Sequence, residues 1–206
     1  MIISALHKFI FAAIPKTGTH SVRRALREHM GPSDMEQVGL FVQRKLPIPE
    51  LARLGHGHLT LEQLRPHLPP QDFDSFFKFA FVRNPFDRFV SYCAFVTREE
   101  GGFARDPKRV MHEILATPPL DHILFHPQHS FVTDASGALL TDYIGRVEEM
   151  QKSYDEIAAQ IGIPSAQLDK VNPSNRRDYR DYYDPPLIDG VAKLYARDLI
   201  LFGYEY

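Results

Sequence analysis

A chain of 206 residues has the length of a single domain, because single cores stop growing beyond roughly 250 residues, and this argues against a solenoid array or a multidomain machine. With 44% hydrophobic residues, 15 Phe and 9 Tyr the chain can bury a substantial core, which excludes the disordered class, and a net charge of -2 supplies no global cationic field for nucleic acid or an anionic membrane. Any anion must therefore meet a local site, and the single cysteine, Cys93, forms no internal disulfide, which removes the stapled secreted scaffolds and suits a reducing compartment.

The apolar stretch from Met1 to Ile14 does not read as a signal peptide: His7 and Lys8 interrupt it, no basic region precedes it, and Pro15-Lys16 stands where small cleavage-site residues belong. No segment approaches the roughly 20 apolar residues of a membrane helix, so a cytoplasmic protein without a membrane anchor is expected. Phe9 to Ile14 reads as a strand that ends at Pro15, and a helix opens at Ser21, with Val22, Ala25, Leu26 and His29 on one face. Gly31 to Asp74 is proline-rich and reads as loops covering a sheet, with short helices such as Leu61 to Leu64. Phe76 to Val82 is a second buried strand, broken at Arg83-Asn84-Pro85, after which Phe86, Phe89, Val90 and Cys93 mark the core face of a second helix. Two apolar strands that each feed a helix predict an α/β fold with a central, largely parallel sheet flanked by helices, in a single domain over residues 1–206.

Farther along, Lys108 to Ala116 reads as a helix stopped by Pro118-Pro119. Phe131 to Thr133 and Leu139 to Ile144 read as the arms of a hairpin around Asp134 to Gly137. Met150 to Ile161 is a helix ended by Gly162, and a last helix starting near Pro186 buries Ile188, Val191, Ala192, Tyr195, Leu199 and Phe202. Lys170 to Pro186 has no period and is the most polar segment, a surface loop long enough to carry function.

Four places carry candidate chemistry. Pro15-Lys16-Thr17-Gly18-Thr19-His20-Ser21 lies between a strand and a helix, where unpaired backbone N–H groups favour an anion; Gly18 permits close approach, the hydroxyls are donors, and Lys16 is a point charge for an oxyanion. It is not a Walker A loop, in which the Lys follows the last Gly. Arg83 falls at the carboxyl end of the second strand, the edge where open α/β sheets bind ligands, and Ser91 lies two helical turns on; the alternative is an Arg paired with Asp87 and a solvent-facing Ser. His56-Gly57-His58 offers two imidazoles, the side chain best matched to removing a hydroxyl proton near neutral pH, whereas a metal site there would require a further ligand such as His67. Arg176-Arg177, with Lys170, Asn172 and Ser174, either closes over an anionic ligand or keeps a loop soluble. His126, His129 and the acidic pairs Glu148-Glu149 and Asp155-Glu156 read as surface groups.

Together, Ile14-Pro15-Lys16-Thr17-Gly18-Thr19 and Phe81 to Tyr92 resemble the two nucleotide-binding motifs of sulfotransferases that use 3'-phosphoadenosine 5'-phosphosulfate (PAPS). Asp142 to Glu148 and Tyr195 to Tyr204 are similar to the carbohydrate-type branch. The resemblance implies the P-loop NTPase-like sulfotransferase fold, PAPS as co-substrate with no metal, and a hydroxyl acceptor, most readily a carbohydrate. It further implies that Pro15, Lys16, Thr17, Gly18, Thr19, His20 and Ser21 surround the 5'-phosphosulfate, with Lys16 stabilising the bridging oxygen, and that Arg83 and Ser91 hold the 3'-phosphate. His58 would be the catalytic base with His56 as neighbour or substitute, and the late loop from Asn172 to Arg177, including Asn175 and Arg176, would close over the donor. His20 departs from the family pattern, in which a small or hydroxyl residue is usual. The rival readings are a small kinase using ATP and magnesium, and a noncatalytic nucleotide-binding or scaffolding protein.

Overall fold

The computed structural model describes residues 1–39, 43–169 and 177–206. Its strands are β1 (Ile2–Ser4), β2 (Phe9–Ala12), β3 (Met35–Glu36), β4 (Phe77–Val82) and β5 (Tyr143–Arg146). The longer helices are α1 (Thr19–Arg27), α2 (Pro85–Val96), α3 (Pro107–Ala116), α4 (Met150–Ile161), α5 (Pro185–Leu194) and α6 (Ala196–Phe202). The described residues fall into two compact units, one drawn from Met1–Val82 and Ser130–Val171, the other from Arg83–His129 and Asn172–Tyr206.

The first unit holds a five-stranded sheet in the order β3-β1-β2-β4-β5. β2, β4 and β5 pair in parallel, and β1 is antiparallel to both β2 and β3, so four strands run one way. Phe9 and Phe11 on β2 and Phe79 and Phe81 on β4 alternate onto one face, as the two-residue period of a strand requires. There they meet Val22, Ala25 and Leu26 of α1 and Tyr154, Ile157 and Ala158 of α4, all buried. Phe11 stacks on Phe79 with ring centroids 5.2 Å apart, a contact set by the pairing of these two residues across the parallel ladder. This is the mixed α/β architecture expected from the two strand–helix patterns.

Two departures have local causes. The expected hairpin keeps its turn, in which the Gly137 N–H donates to the Asp134 carbonyl at 2.9 Å, but its arms meet only at the bridge between Thr133 and Leu139. The second arm instead becomes β5, because Asp142 engages Lys78 three times: its N–H donates to the Lys78 carbonyl at 2.7 Å, and its carboxylate accepts the Lys78 N–H at 2.7 Å and pairs with Nζ at 3.2 Å. The parallel register with β4 begins there. The apolar amino terminus supplies an edge strand, β1, and the final helical stretch divides at Tyr195 into α5 and α6.

The second unit is helical and aromatic. Asn84 caps α2 by accepting the Phe86 N–H at 3.0 Å, with Pro85 in the first turn, while Asp106 and Asp184 cap α3 and α5 in the same way. Phe86, Phe89, Phe103, Phe125, Tyr183 and Tyr195 form its core, and the two tyrosine hydroxyls find backbone carbonyls at Phe86 and Phe125. Among the described residues no helix is long and apolar enough to cross a membrane.

Tyr154 is wholly buried in the first unit, its hydroxyl has no hydrogen-bond partner among the described residues, and burial pushes its pKa up to about 12. An unsatisfied buried hydroxyl costs about 1–3 kcal/mol. Tyr154→Phe is therefore expected to raise Tm by roughly 2–4 °C per kcal/mol recovered, measured by calorimetry; a fall in Tm would mean that the hydroxyl has a partner.

Candidate active site

β2 and β4 are parallel neighbours and end at the same edge of the sheet, the edge at which α/β folds bind ligands. The Pro15-to-Ser21 segment follows β2, and Arg83 follows β4 in sequence. In the first of these, Lys16 and Gly18 both adopt left-handed backbone, at φ 67° and 70°. For Lys16 that conformation costs about 1–2 kcal/mol, and interspersing left-handed residues in a turn is how backbone N–H groups form anion-binding concavities. Gly18 is the N-cap of α1 and contributes no capping side chain, and no acidic residue occupies the first turn. The positive end of the helix is thus left without a side-chain anion. A Cβ on Gly18 would collide with the Met150 methyl, so the residue is required by space as well as by backbone.

The hydroxyls of the loop are not equivalent. Thr17 is buried and its Oγ1 donates to the Ile14 carbonyl at 2.9 Å, holding the loop to its own start, while Ser21 Oγ donates to the Asp169 carbonyl at 2.7 Å. Each has given its one proton to the fold. Thr19 is buried, Lys16 half-buried, and His20 exposed, with its pKa lowered by partial burial and by Arg23, Lys16 and Arg27.

His56-Gly57-His58 belongs to the same unit. His58 is half-buried with Nδ1 2.7 Å from the carbonyl of Ala13, the residue that follows β2. A carbonyl only accepts, so Nδ1 carries the proton and Nε2 presents its lone pair. Burial, with the positive charge of Arg23 and lesser contributions from the terminal amine and the neighbouring His56, pushes the His58 pKa down to about 3 against the opposing effect of the Ala13 carbonyl. The rings of His56 and His58 lie 6.5 Å apart.

The turn between them is anchored by residues with no sequence signature. Arg23 Nη2 donates to the Gly57 carbonyl at 2.9 Å, and the Met1 amine donates to the same oxygen at 2.5 Å. Gln37, also buried, donates through Nε2 to the carbonyls of His56 and Leu51 and accepts the Leu46 N–H through Oε1. A Cβ on Gly57 would stand 2.8 Å from Val38 Cα and 2.9 Å from Arg23 Nη2, so only glycine fits. Arg23 borders the apolar stripe of α1, and an arginine in that position is the one hint the sequence offered.

In the second unit, Arg83 Nε donates to Asp87 Oδ2 at 2.6 Å, and Nη2 contacts the same oxygen at 2.5 Å. The ion pair considered as the alternative does form. The buried Gln128 holds the Arg83 backbone at both ends, accepting its N–H at 2.9 Å and donating to its carbonyl at 2.8 Å. Asp198, buried in turn, accepts the N–H groups of Gln128 and His129 and the ring of His129 within 2.8 Å. The Arg83 backbone is thus fixed by Gln128, and Gln128 by Asp198, a residue of the Tyr195-to-Tyr204 segment that carried the resemblance. Ser91 is buried on α2, not solvent-facing. Of the late loop, Arg177 is described and exposed, whereas Lys170, Asn172, Ser174, Asn175 and Arg176 lie outside the described residues. No group of three metal-ligating side chains occurs among the described residues, so His56, His58 and His67 do not assemble into one.

A protein-family model described as "Sulfotransferase family" matches residues 1–205, nearly the whole chain and across both units. No curated protein and no solved structure matches.

Two outcomes follow from these contacts. The unfolded His58 takes up a proton near its ordinary value of 6.5, whereas the folded one does so only near 3, so stability is complete above about pH 6.5 and falls as the pH drops toward 3, at most about 1.4 kcal/mol per unit. Urea unfolding from pH 7 to 4 is expected to show this slope and to show it flattened in His58→Gln; equal slopes would mean that the imidazole is not held neutral. Gln128→Ala leaves the Arg83 N–H and carbonyl without that partner and is expected to lower stability by roughly 2–4 kcal/mol, with faster amide exchange at Arg83.

Proposed function

Because the chain belongs to the sulfotransferase family, whose members pass a sulfuryl group to a hydroxyl-bearing acceptor, we propose that it transfers the group from PAPS, with His58 as general base. The observation that carries this reading is the His58 Nδ1 hydrogen bond to Ala13, which fixes the ring by the start of the Pro15-to-Ser21 loop and leaves Nε2 as the proton acceptor. As the acceptor oxygen bonds to sulfur, its proton passes to Nε2. The bond from sulfur to the phosphate oxygen breaks, and 3'-phosphoadenosine 5'-phosphate (PAP) departs.

Sulfuryl transfer, like phosphoryl transfer, needs alignment, a deprotonated acceptor and charge stabilisation on the leaving oxygen. Lys16 is assigned to that oxygen, and the loop N–H groups with Thr17, Gly18, Thr19, His20 and Ser21 to the 5'-phosphosulfate. Since the Thr17 and Ser21 protons are committed to Ile14 and Asp169, their contribution is to shape the backbone. Arg83 and Ser91 are assigned to the 3'-phosphate, and Asn175 and Arg176 to closure over the donor. A donor rich in negative charge opposes the cationic surroundings of His58 and makes the imidazole more basic when bound. The acceptor is read as a carbohydrate, and residues 1–206 as one sulfotransferase domain of P-loop type, a reading supported by the family match across both units.

Calorimetric titration with PAP, alongside ATP and magnesium, tests the donor assignment: binding of PAP alone is expected, whereas binding of ATP alone would favour the kinase reading and binding of neither the scaffold. His58→Ala is expected to keep PAP affinity and lose turnover by roughly 100-fold or more, and full turnover would remove it from the mechanism. Lys16→Ala is expected to lose both affinity and rate; a fully active variant would contradict the cradle assignment.

A further inference from the structure

We propose that Arg23 is a positioning residue for His58, gripping the Gly57 carbonyl from the buried face of α1 and so setting the imidazole against the helix that opens at the anion loop. This rests on the reading of His58 as the base. Arg23 is only 3% exposed, and no carboxylate pairs with it among the described residues. The nearest buried carboxylate, Glu36, is engaged by Arg27 through both oxygens at 2.9–3.0 Å and by Arg44 at 3.4 Å. Arg23 Nε has no hydrogen-bond partner among the described residues.

An arginine buried on these terms is a net cost to the fold, since a desolvated cation is recovered only by a paired charge and full hydrogen bonding. Burial lowers its pKa to about 10. Apolar packing would serve α1 better there, as Val22, Ala25 and Leu26 do on the same helix. What the guanidinium does is bind one oxygen, that of the residue immediately before His58. Gly57 itself is held close to the chain around it, since a Cβ there would meet the Gln37 carbonyl and Val38 Cα before it met Arg23 Nη2.

His58 is then fixed at two points, through the Gly57 carbonyl by Arg23 and through Nδ1 by Ala13. The groups that act on its charge are Arg23, the terminal amine, His56 and the Ala13 carbonyl, and no carboxylate is among them. Arg23 accordingly has two separable effects: its hydrogen bond orients the ring, and its charge adds to the larger effect of burial in keeping the ring neutral. A misplacement of about 1 Å in a reacting group costs about 100-fold in rate, so loss of the first effect falls on turnover.

Arg23→Gln removes the charge, and Arg23→Lys keeps the charge but not the fork. In 15N-labelled protein, the His58 ring nitrogens of Arg23→Gln are expected to lose the fixed Nδ1–H signature and to titrate at higher pH than in the parent. Turnover is expected to fall roughly 10- to 100-fold with acceptor KM and PAP affinity within about threefold. Arg23→Lys is expected to keep the low titration and yet lose part of the turnover, and it serves if Arg23→Gln does not fold. An unchanged His58 spectrum and unchanged turnover in either folded variant would overturn the proposal, as would a rate loss with no change at His58. The ring spectra read the effect of Arg23 even if His58→Ala proves fully active, so a failure of the base assignment is told apart from a failure of the positioning role.

Discussion

The end of β2 is the constraint on which the site depends. Up to Ala12 the strand is held by its parallel ladder to β4; the next two carbonyls, of Ala13 and Ile14, accept from His58 and Thr17. One side chain comes from 45 residues away in sequence and the other from three. From there the backbone turns through left-handed Lys16 and Gly18 into α1, and the buried Arg23 of that helix reaches back to Gly57, next to His58. The candidate base and the candidate anion loop are therefore parts of one closed ring of covalent and hydrogen bonds. A change at any member is transmitted to the others, because each buried polar group in it has few alternative partners.

The electrostatics of the ring point the same way. Arg23, Arg27 and Arg44 are set around one buried carboxylate, Glu36, which pairs with Arg27 and Arg44. Arg23, which no carboxylate pairs among the described residues, is a buried charge that costs the fold stability. The cost is carried by the aromatic face of Phe9, Phe11, Phe79 and Phe81, which binds α1 and α4 to the sheet without any help from the polar residues. A chain of net charge -2 thus gathers three arginines around one buried carboxylate in this unit.

Periodicity made the frame legible. Phe9 to Ile14 and Phe76 to Val82 announce strands by their apolar runs, and the caps Asn84 and Asp106 with the prolines after them announce helices, because these signals depend on neighbours in the chain. The His-Gly-His turn and the Lys-Thr-Gly-Thr loop were legible as chemistry for the same reason. Arg23, Gln37, Gln128 and Asp198 were not, since each acts on a backbone group brought near only by folding. β5 was displaced toward the carboxyl end of its expected span by Asp142, whose hydrogen bonds to the Lys78 backbone are likewise a long-range pairing.

Arg83 shows how a structural reading and a functional one coexist. Its pairing with Asp87 engages Nε and Nη2 through a single carboxylate oxygen, and the Gln128 amide fixes the backbone from which the side chain springs. A guanidinium has five donors, and among the described residues the pair with Asp87 accounts for those on Nε and Nη2. The negative charge of Asp87 weakens the attraction for an anion, but it also holds a long side chain in one rotamer, and ordering such a side chain otherwise costs about 1.5–2 kcal/mol on binding. On the proposed assignment of Arg83 to the 3'-phosphate, the pair with Asp87 therefore trades strength of attraction for a fixed geometry of the fork.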